Sequence, residues 1–259
     1  MNATTGAIQH TFYVVPNGCT GGGIWGSPTL DAGSGMLYVA TGNPNGAKCT
    51  PLEQYAPAIV QLRAADLSVV SSWQVPASQQ TTDSDFGSTP TLFQTTVNGI
   101  AHYYVGVGNK NGIFYAFNRF NLSAGPVWQD KVAIGGGGPV KGQGTISPAA
   151  WNGSSLFVAG GNTTINGNSC QGSLRALNPN TGAFLWQNCL SYPVIGAVSG
   201  VQGVIVAPSE HIMFVVSAQT GATYFNYQVT YGQFQSGASI SNGVLYITNT
   251  NHKLYAFGT

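Results

Sequence analysis

Gly23-Ile24-Trp25-Gly26-Ser27-Pro28-Thr29-Leu30-Asp31, followed by Met36-Leu37-Tyr38-Val39-Ala40-Thr41-Gly42-Asn43-Pro44, is the stretch on which the fold turns. A glycine-rich approach carries one tryptophan into a short strand. Gly33-Ser34-Gly35 supplies a turn, and Met36–Ala40 reads as a second strand. Two apolar strands joined by a glycine turn predict a β-hairpin. Weakened copies of this unit recur to the C-terminus, so the chain is read as a repeat protein.

Five units overlay. Each opens on small residues: Gly26–Thr29, Ser88–Thr91, Ser147–Ala150, Gly196–Val198 and Gly237–Ile240. A second strand follows, as in Leu37–Ala40 and Leu156–Ala159, and then an aliphatic and aromatic third, as in Ile113–Phe117 and Lys253–Phe257. The fourth is clearest at Asn178-Pro179-Asn180-Thr181-Gly182-Ala183-Phe184-Leu185-Trp186, a Thr-Gly turn and a strand ending in tryptophan; Thr220–Phe225 repeats it with Phe. Glycine supplies the positive φ of the turn, and the aromatic fills the gap between neighbouring sheets. Four antiparallel strands per unit predict an all-β fold, a β-propeller of about five blades. The fifth unit stops after three strands, and Ala7–Phe12 reads as a lone fourth strand. Either that strand closes a five-bladed ring, which would remove exposed sheet edges, or the chain is an arc of a larger, eight-bladed type of propeller.

Composition narrows function. The 259 residues include 36 Gly and are only 6% charged, with net charge +1, so no basic footprint for nucleic acid is present. No apolar run approaches the roughly 20 residues of a membrane span. Cys19, Cys49, Cys170 and Cys189 lack zinc-type spacing. Each pair flanks a hairpin-sized loop, so Cys19–Cys49 and Cys170–Cys189 are candidate disulfides, buried free thiols being the other reading. Asn2, Asn121, Asn152 and Asn162 stand in glycosylation-type triplets. His10, His102, His211 and His252 are scattered without metal-ligand spacing. Gly135–Gly138 reads as a flexible crossing ahead of the third blade.

The repeats resemble those of the pyrroloquinoline-quinone (PQQ) dehydrogenases, the quinoprotein alcohol dehydrogenase-like propellers. Gly21-Gly22-Gly23-Ile24-Trp25 is similar to the family's Gly-Gly-Gly-x-Trp, which implies that Trp25 is the floor beneath the quinone. Thr41-Gly42-Asn43-Pro44 is similar to Gly-x-Gly-Asn-Pro, implying that Asn43 ligates Ca²⁺. Thr82-Asp83-Ser84-Asp85-Phe86-Gly87 resembles the acidic catalytic segment: Asp85 aligns with the general base beside the metal, and Asp83 is second choice. Gly108-Asn109-Lys110-Asn111-Gly112-Ile113-Phe114-Tyr115 resembles a Lys/Arg-Asn-Gly-x-x-Tyr run, implying that Lys110, with Asn111, contacts the cofactor.

The resemblance implies a PQQ- and Ca²⁺-dependent dehydrogenase of a small alcohol or polyol, periplasmic or extracellular, passing electrons to an acceptor protein. It also implies that residues 1–259 are one propeller domain, the C-terminal part of a longer one, because the family's Glu ligand and PQQ-carboxylate Arg lie ahead of the Gly-Gly-Gly-x-Trp segment. The other reading is a non-catalytic propeller of the same repeats, an extracellular scaffold that binds protein or glycan.

Overall fold

A computed structural model describes residues 1–46, Cys49 and residues 53–258. Four four-stranded antiparallel sheets and one three-stranded sheet follow one another along the chain. Blade one comprises Thr29–Asp31, Met36–Ala40, Ala58–Arg63 and Val69–Gln74; blade two comprises Thr91–Val97, Ile100–Gly108, Ile113–Asn118 and Pro126–Lys131. Blade three comprises Ala150–Trp151, Leu156–Gly160, Gly172–Leu177 and Phe184–Leu190, and blade four Ser199–Val201, Val204–Ser209, Ile212–Ser217 and Thr223–Gln228. Ser239–Ser241, Val244–Thr248 and Leu254–Phe257 form blade five. The opening hairpin forms as the sequence predicts: Thr29 pairs with Tyr38 and Asp31 with Met36, closed at Gly35 with φ 68°.

Alternation along each strand sends side chains to the two neighbouring blades. In blade two, Tyr115 and Phe117 pack towards blade one with Tyr38, Ile59 and Phe86. Phe114 and Ala116 pack the other way, with Trp128, Leu156, Val158 and Leu177. The Thr-Gly turns act across this seam. Gly182, at φ 77°, lies on Trp128 of the preceding blade, where a Cβ would approach Cε3 to 2.7 Å. Gly221, at φ 73°, lies on Trp186 in the same way, also at 2.7 Å. Each indole N–H donates to the next blade, Trp128 to the Pro179 carbonyl at 3.0 Å and Trp186 to the Ala218 carbonyl at 3.1 Å.

Two expectations are corrected. The innermost strands begin two or three residues later than the small-residue openings, because those residues pack blade against blade instead of pairing within a sheet. Ser27 N–H meets Thr89 Oγ1 at 3.2 Å, Ser147 Oγ donates to the Gly196 carbonyl at 2.7 Å, and a Cβ on Gly196 would meet the Ser236 carbonyl at 2.7 Å. Second, Ala7–Phe12 forms no strand. Phe12 packs on Tyr55, with ring centroids 5.7 Å apart, over Val39, Ala58, Val60 and Leu62. It thus covers the leading face of blade one, and among the described residues Leu254–Phe257 is the last strand of the fifth sheet, with Ala7–Phe12 not pairing onto it. Two short ribbons also form: Thr20–Gly21, ahead of blade one, pairs with Pro44–Asn45 from the turn between that blade's second and third strands, and Thr163–Ile165 pairs with Asn168–Cys170 within the corresponding turn of blade three. Both disulfides, Cys19–Cys49 and Cys170–Cys189, tie these ribbons down.

Candidate functional site

In a stack of antiparallel blades, the turn from second to third strand and the connection entering the next blade emerge at the same end, since each strand reverses the last. Asn43 and Lys110 sit in such turns of blades one and two, while Trp25, Asp83 and Asp85 lie on entering connections. The topology therefore brings all five to one end.

Lys110 is the knot. Its Nζ lies 2.8 Å from Asp83 Oδ2 and 2.6 Å from Asp85 Oδ2, with side-chain exposures of 12%, 28% and 17%. Its backbone N–H donates to the Asp85 carbonyl at 3.0 Å, so chain and side chain both bind blade two's turn to the acidic segment. Asn43 completes the network. Its N–H donates to Asp85 Oδ1 at 2.6 Å and its Nδ2 to Asp83 Oδ1 at 2.6 Å, while its Oδ1 accepts from Ser84 N–H at 3.1 Å. Trp25, half exposed, lies under the ammonium with Nζ 5.3 Å from its ring centroid.

Two carboxylates and one ammonium leave a net negative charge in a partly desolvated pocket. Burial pushes the Asp83 carboxyl up, but hydrogen bonding and charge from Lys110, with help from Asp85 N–H and Asn43, outweigh it, and Asp83 titrates below the usual carboxylate range. For Lys110, burial pulls downward and is overcome by the two carboxylates, so its ammonium is held above the ordinary lysine value.

Asn111 points elsewhere. It is buried, with its Nδ2 donating to Tyr115 Oη at 2.6 Å and to the Gln79 carbonyl at 3.0 Å, and its Oδ1 accepting from Ile113 N–H at 3.0 Å. Burial raises the Tyr115 hydroxyl to about 12, partly offset by that Asn111 bond. Asn111 thus holds the blade-two turn in shape and has no contact with the cluster of acids.

Several glycines that the sequence reading did not assign to the site shape its walls. A Cβ on Gly42 would meet Asp85 Oδ1 at 2.9 Å, and one on Gly87 would strike the Trp25 ring. Gly137 lies against Asp83, where a Cβ would come within 2.8 Å of its Cβ, and Gly136 N–H donates to the Lys110 carbonyl at 2.9 Å. Gly135–Gly138 therefore packs onto the site as a wall that admits no side chains. With Thr81, Thr82, Lys141 and Gln143 it borders an open cavity of about 770 Å³. Four successive glycines were the available signal, since only glycine permits such close backbone approach.

Calcium takes six to eight hard oxygen ligands. Asn43 Oδ1 and the carboxylates of Asp83 and Asp85 are donors of that type, and their charge exceeds what Lys110 neutralises. The three residues fit a calcium ion in part, with further oxygens required from outside this set. The open face of Trp25 fits a planar aromatic ligand.

Residues 15–129 match the family described as glucose/ethanol/alcohol dehydrogenase, beta-propeller domain. A comparison with curated proteins finds no match by sequence. Among solved structures, a quinohemoprotein alcohol dehydrogenase from Pseudomonas putida is similar at TM-score 0.68 and 14% identity, over 88% of this chain and 44% of that one. A europium-containing methanol dehydrogenase is similar at TM-score 0.64 and 16% identity, over 91% of this chain and 50% of that one. BamB from Moraxella catarrhalis is similar at TM-score 0.57 and 13% identity, over 92% and 64%. The chain thus spans about half the length of the two dehydrogenases. It is a β-propeller arc similar, over residues 15–129, to the PQQ-type propeller domain of the alcohol dehydrogenases.

Proposed function

We propose that this chain carries part of the active site of a PQQ- and Ca²⁺-dependent dehydrogenase that oxidises the CH–OH group of a small alcohol or polyol. The observation that carries the reading is the bridge of Lys110 to both Asp83 and Asp85, with Asn43 bonded to the same two carboxylates and Trp25 beneath. Half-length coverage of the dehydrogenases supports taking residues 1–259 as one portion of a longer propeller. The two disulfides support a periplasmic or extracellular location, and a separate protein would accept the electrons.

When bound, PQQ supplies an ortho-quinone that takes the substrate's α-hydrogen with its electron pair. The chain does the rest. Trp25 presents the flat surface on which the cofactor rests, and Asn43, Asp83 and Asp85 present oxygens to calcium. Asp85 takes the hydroxyl proton at Oδ2 as general base. Lys110 holds that carboxylate in place, and its ammonium stabilises negative charge that develops nearby. Gly42 and Gly87 keep the approach to Asp85 and Trp25 free of side chains.

The test is reduction of an artificial dye by the longer propeller that contains this chain, purified and supplied with PQQ, Ca²⁺ and a series of alcohols. The reading expects calcium-dependent dye reduction, lost in Asp85→Asn and Lys110→Met. PQQ binding without calcium dependence, or activity that survives Asp85→Asn, refutes it. A second reading, a scaffold propeller, draws on the similarity to BamB and on the strand Thr223–Gln228, exposed along its whole length. It expects neither PQQ binding nor dye reduction, and instead retention of a protein or glycan on blade four that Tyr224→Ser abolishes.

A further inference from the structure

Glu53 is 1% exposed, and neither of its carboxylate oxygens meets a hydrogen-bond partner. Leaving a buried carboxyl unpartnered is costly, and such groups call for a reason. What stands within reach of it is sulfur. A Glu53 oxygen and the Sγ atoms of Cys19 and Cys49 all lie within 4.8 Å of one another, the one such cluster among the described residues. Both cysteines are half-buried, and Cys19 lines a cavity of about 740 Å³ together with Tyr13, Val15, Gln54 and Tyr55.

We propose that the dithiol form of Cys19 and Cys49, together with Glu53, is a binding site for one thiophilic divalent cation of the zinc type. The cation and the disulfide are alternative occupants of one place. An external dithiol delivers two electrons and two protons to the Cys19–Cys49 bond, giving two thiols while it becomes a disulfide itself. The cation then displaces both thiol protons and binds two thiolates and the carboxylate. Zinc–sulfur bonds of about 2.3 Å and zinc–oxygen bonds of about 2.0–2.2 Å give a tetrahedron with edges of roughly 3.5–3.8 Å, so the two sulfurs move apart once their bond is broken, with the carboxylate oxygen already within 4.8 Å of both. Solvent from the cavity takes the fourth position.

The site sits at the root of the candidate active end. Cys19 leads through Thr20–Gly21 to Trp25, and Cys49 follows Pro44–Asn45 and Asn43; the two arms pair as a ribbon, with Gly22 N–H donating to the Asn43 carbonyl at 2.7 Å. Disulfide or cation, either cross-link clasps the arm bearing the tryptophan to the arm bearing the asparagine. The cation would hold that clasp before oxidation, or in reducing surroundings.

The full chain, reduced anaerobically with a phosphine and freed of it, is titrated with Zn²⁺ against a chromophoric chelator and, separately, with Co²⁺. One equivalent of zinc is expected, with a thiolate-to-cobalt charge-transfer band. Binding should vanish in Cys19→Ser, weaken at least about tenfold in Glu53→Gln, and persist in Cys170→Ser. A chain that binds no zinc, or whose binding ignores Cys19→Ser or Glu53→Gln, overturns the proposal. Unmodified protein gives a second reading free of folding defects. Alkylation and mass spectrometry should show zinc slowing re-formation of Cys19–Cys49 while Cys170–Cys189 re-forms at its usual rate; equal rates with and without zinc would be contrary.

Discussion

Blades two and four place different charges at the same point of the repeat. In blade two the turn after the second strand carries Lys110, satisfied by two carboxylates from the entering connection. In blade four it carries Glu210, 6% exposed, with Oε1 unpartnered and its backbone carbonyl accepting from Phe234 N–H at 2.6 Å. The seams between blades are alike at both places, with tryptophan or another aromatic filling each gap. What the repeats share builds the arc, and the candidate chemistry lies where they differ. In a chain with 8 basic and 7 acidic residues, three of the fifteen meeting at one point is a concentration that folding does not require.

Breaking what is shared should have the largest effect on stability. Gly182→Val puts a branched side chain at φ 77°, against Trp128 and into Asp130, and should cost about 2–4 kcal/mol. Denaturant unfolding checks this, and PQQ binding at blades one and two should be unchanged among folded molecules. Lys110→Met removes the one cation bridged to Asp83 and Asp85 among the described residues and should cost about 1–3 kcal/mol, reduced from a fully buried case by the remaining solvent contact. Glu210→Gln should act with the opposite sign. Burial holds the Glu210 pKa up, opposed by His211, so its protonated form is the one the fold favours. Stability is then full below the ordinary glutamate value and falls as pH rises through the folded one, and the glutamine variant should gain thermal stability at neutral pH.

The acid and lysine in blade two give a pH signature that sharpens the contrast. Asp83, shifted down, contributes stability above its unfolded value of about 3.9, lost as pH falls through the folded value. Lys110, shifted up, contributes below its unfolded value of about 10.4, lost as pH rises through the folded one. Thermal melts across pH should show both limbs, with Asp83→Asn removing the Asp83 part of the acid limb. At Trp25 the effect falls on binding more than on stability. The residue is 50% exposed, so Trp25→Ala should cost about 1–2 kcal/mol while abolishing PQQ binding by equilibrium dialysis.

The sequence discloses the blades because their signals are local. A glycine turn between apolar strands, and a Thr-Gly turn ahead of tryptophan, each report on a few neighbouring residues. It also shows Asp83, Asp85 and Lys110 as rare charges in a chain that is 6% charged, and the resemblance to the PQQ dehydrogenase motifs brings them forward together with Asn43. It does not disclose which atoms pair. That Lys110 spans both acids, or that Asn111 turns inward to the Gln79 carbonyl, depends on backbone packing over 25 residues or more. The run Gly135–Gly138 signals a close backbone approach, but that Gly137 packs against Asp83 is hidden for the same reason. The free course of Ala7–Phe12 follows from Phe12 finding an apolar face beside Tyr55, a contact that strand propensity does not encode.

A crystal structure of the chain grown with PQQ and Ca²⁺ tests the central claim most directly. The account predicts planar density on the exposed face of Trp25 and a cation touching Asn43 Oδ1 and the Asp85 carboxylate, with Lys110 beside them. Cofactor bound at another end of the arc, or a pocket that stays empty while Lys110 keeps both carboxylates, would contradict it.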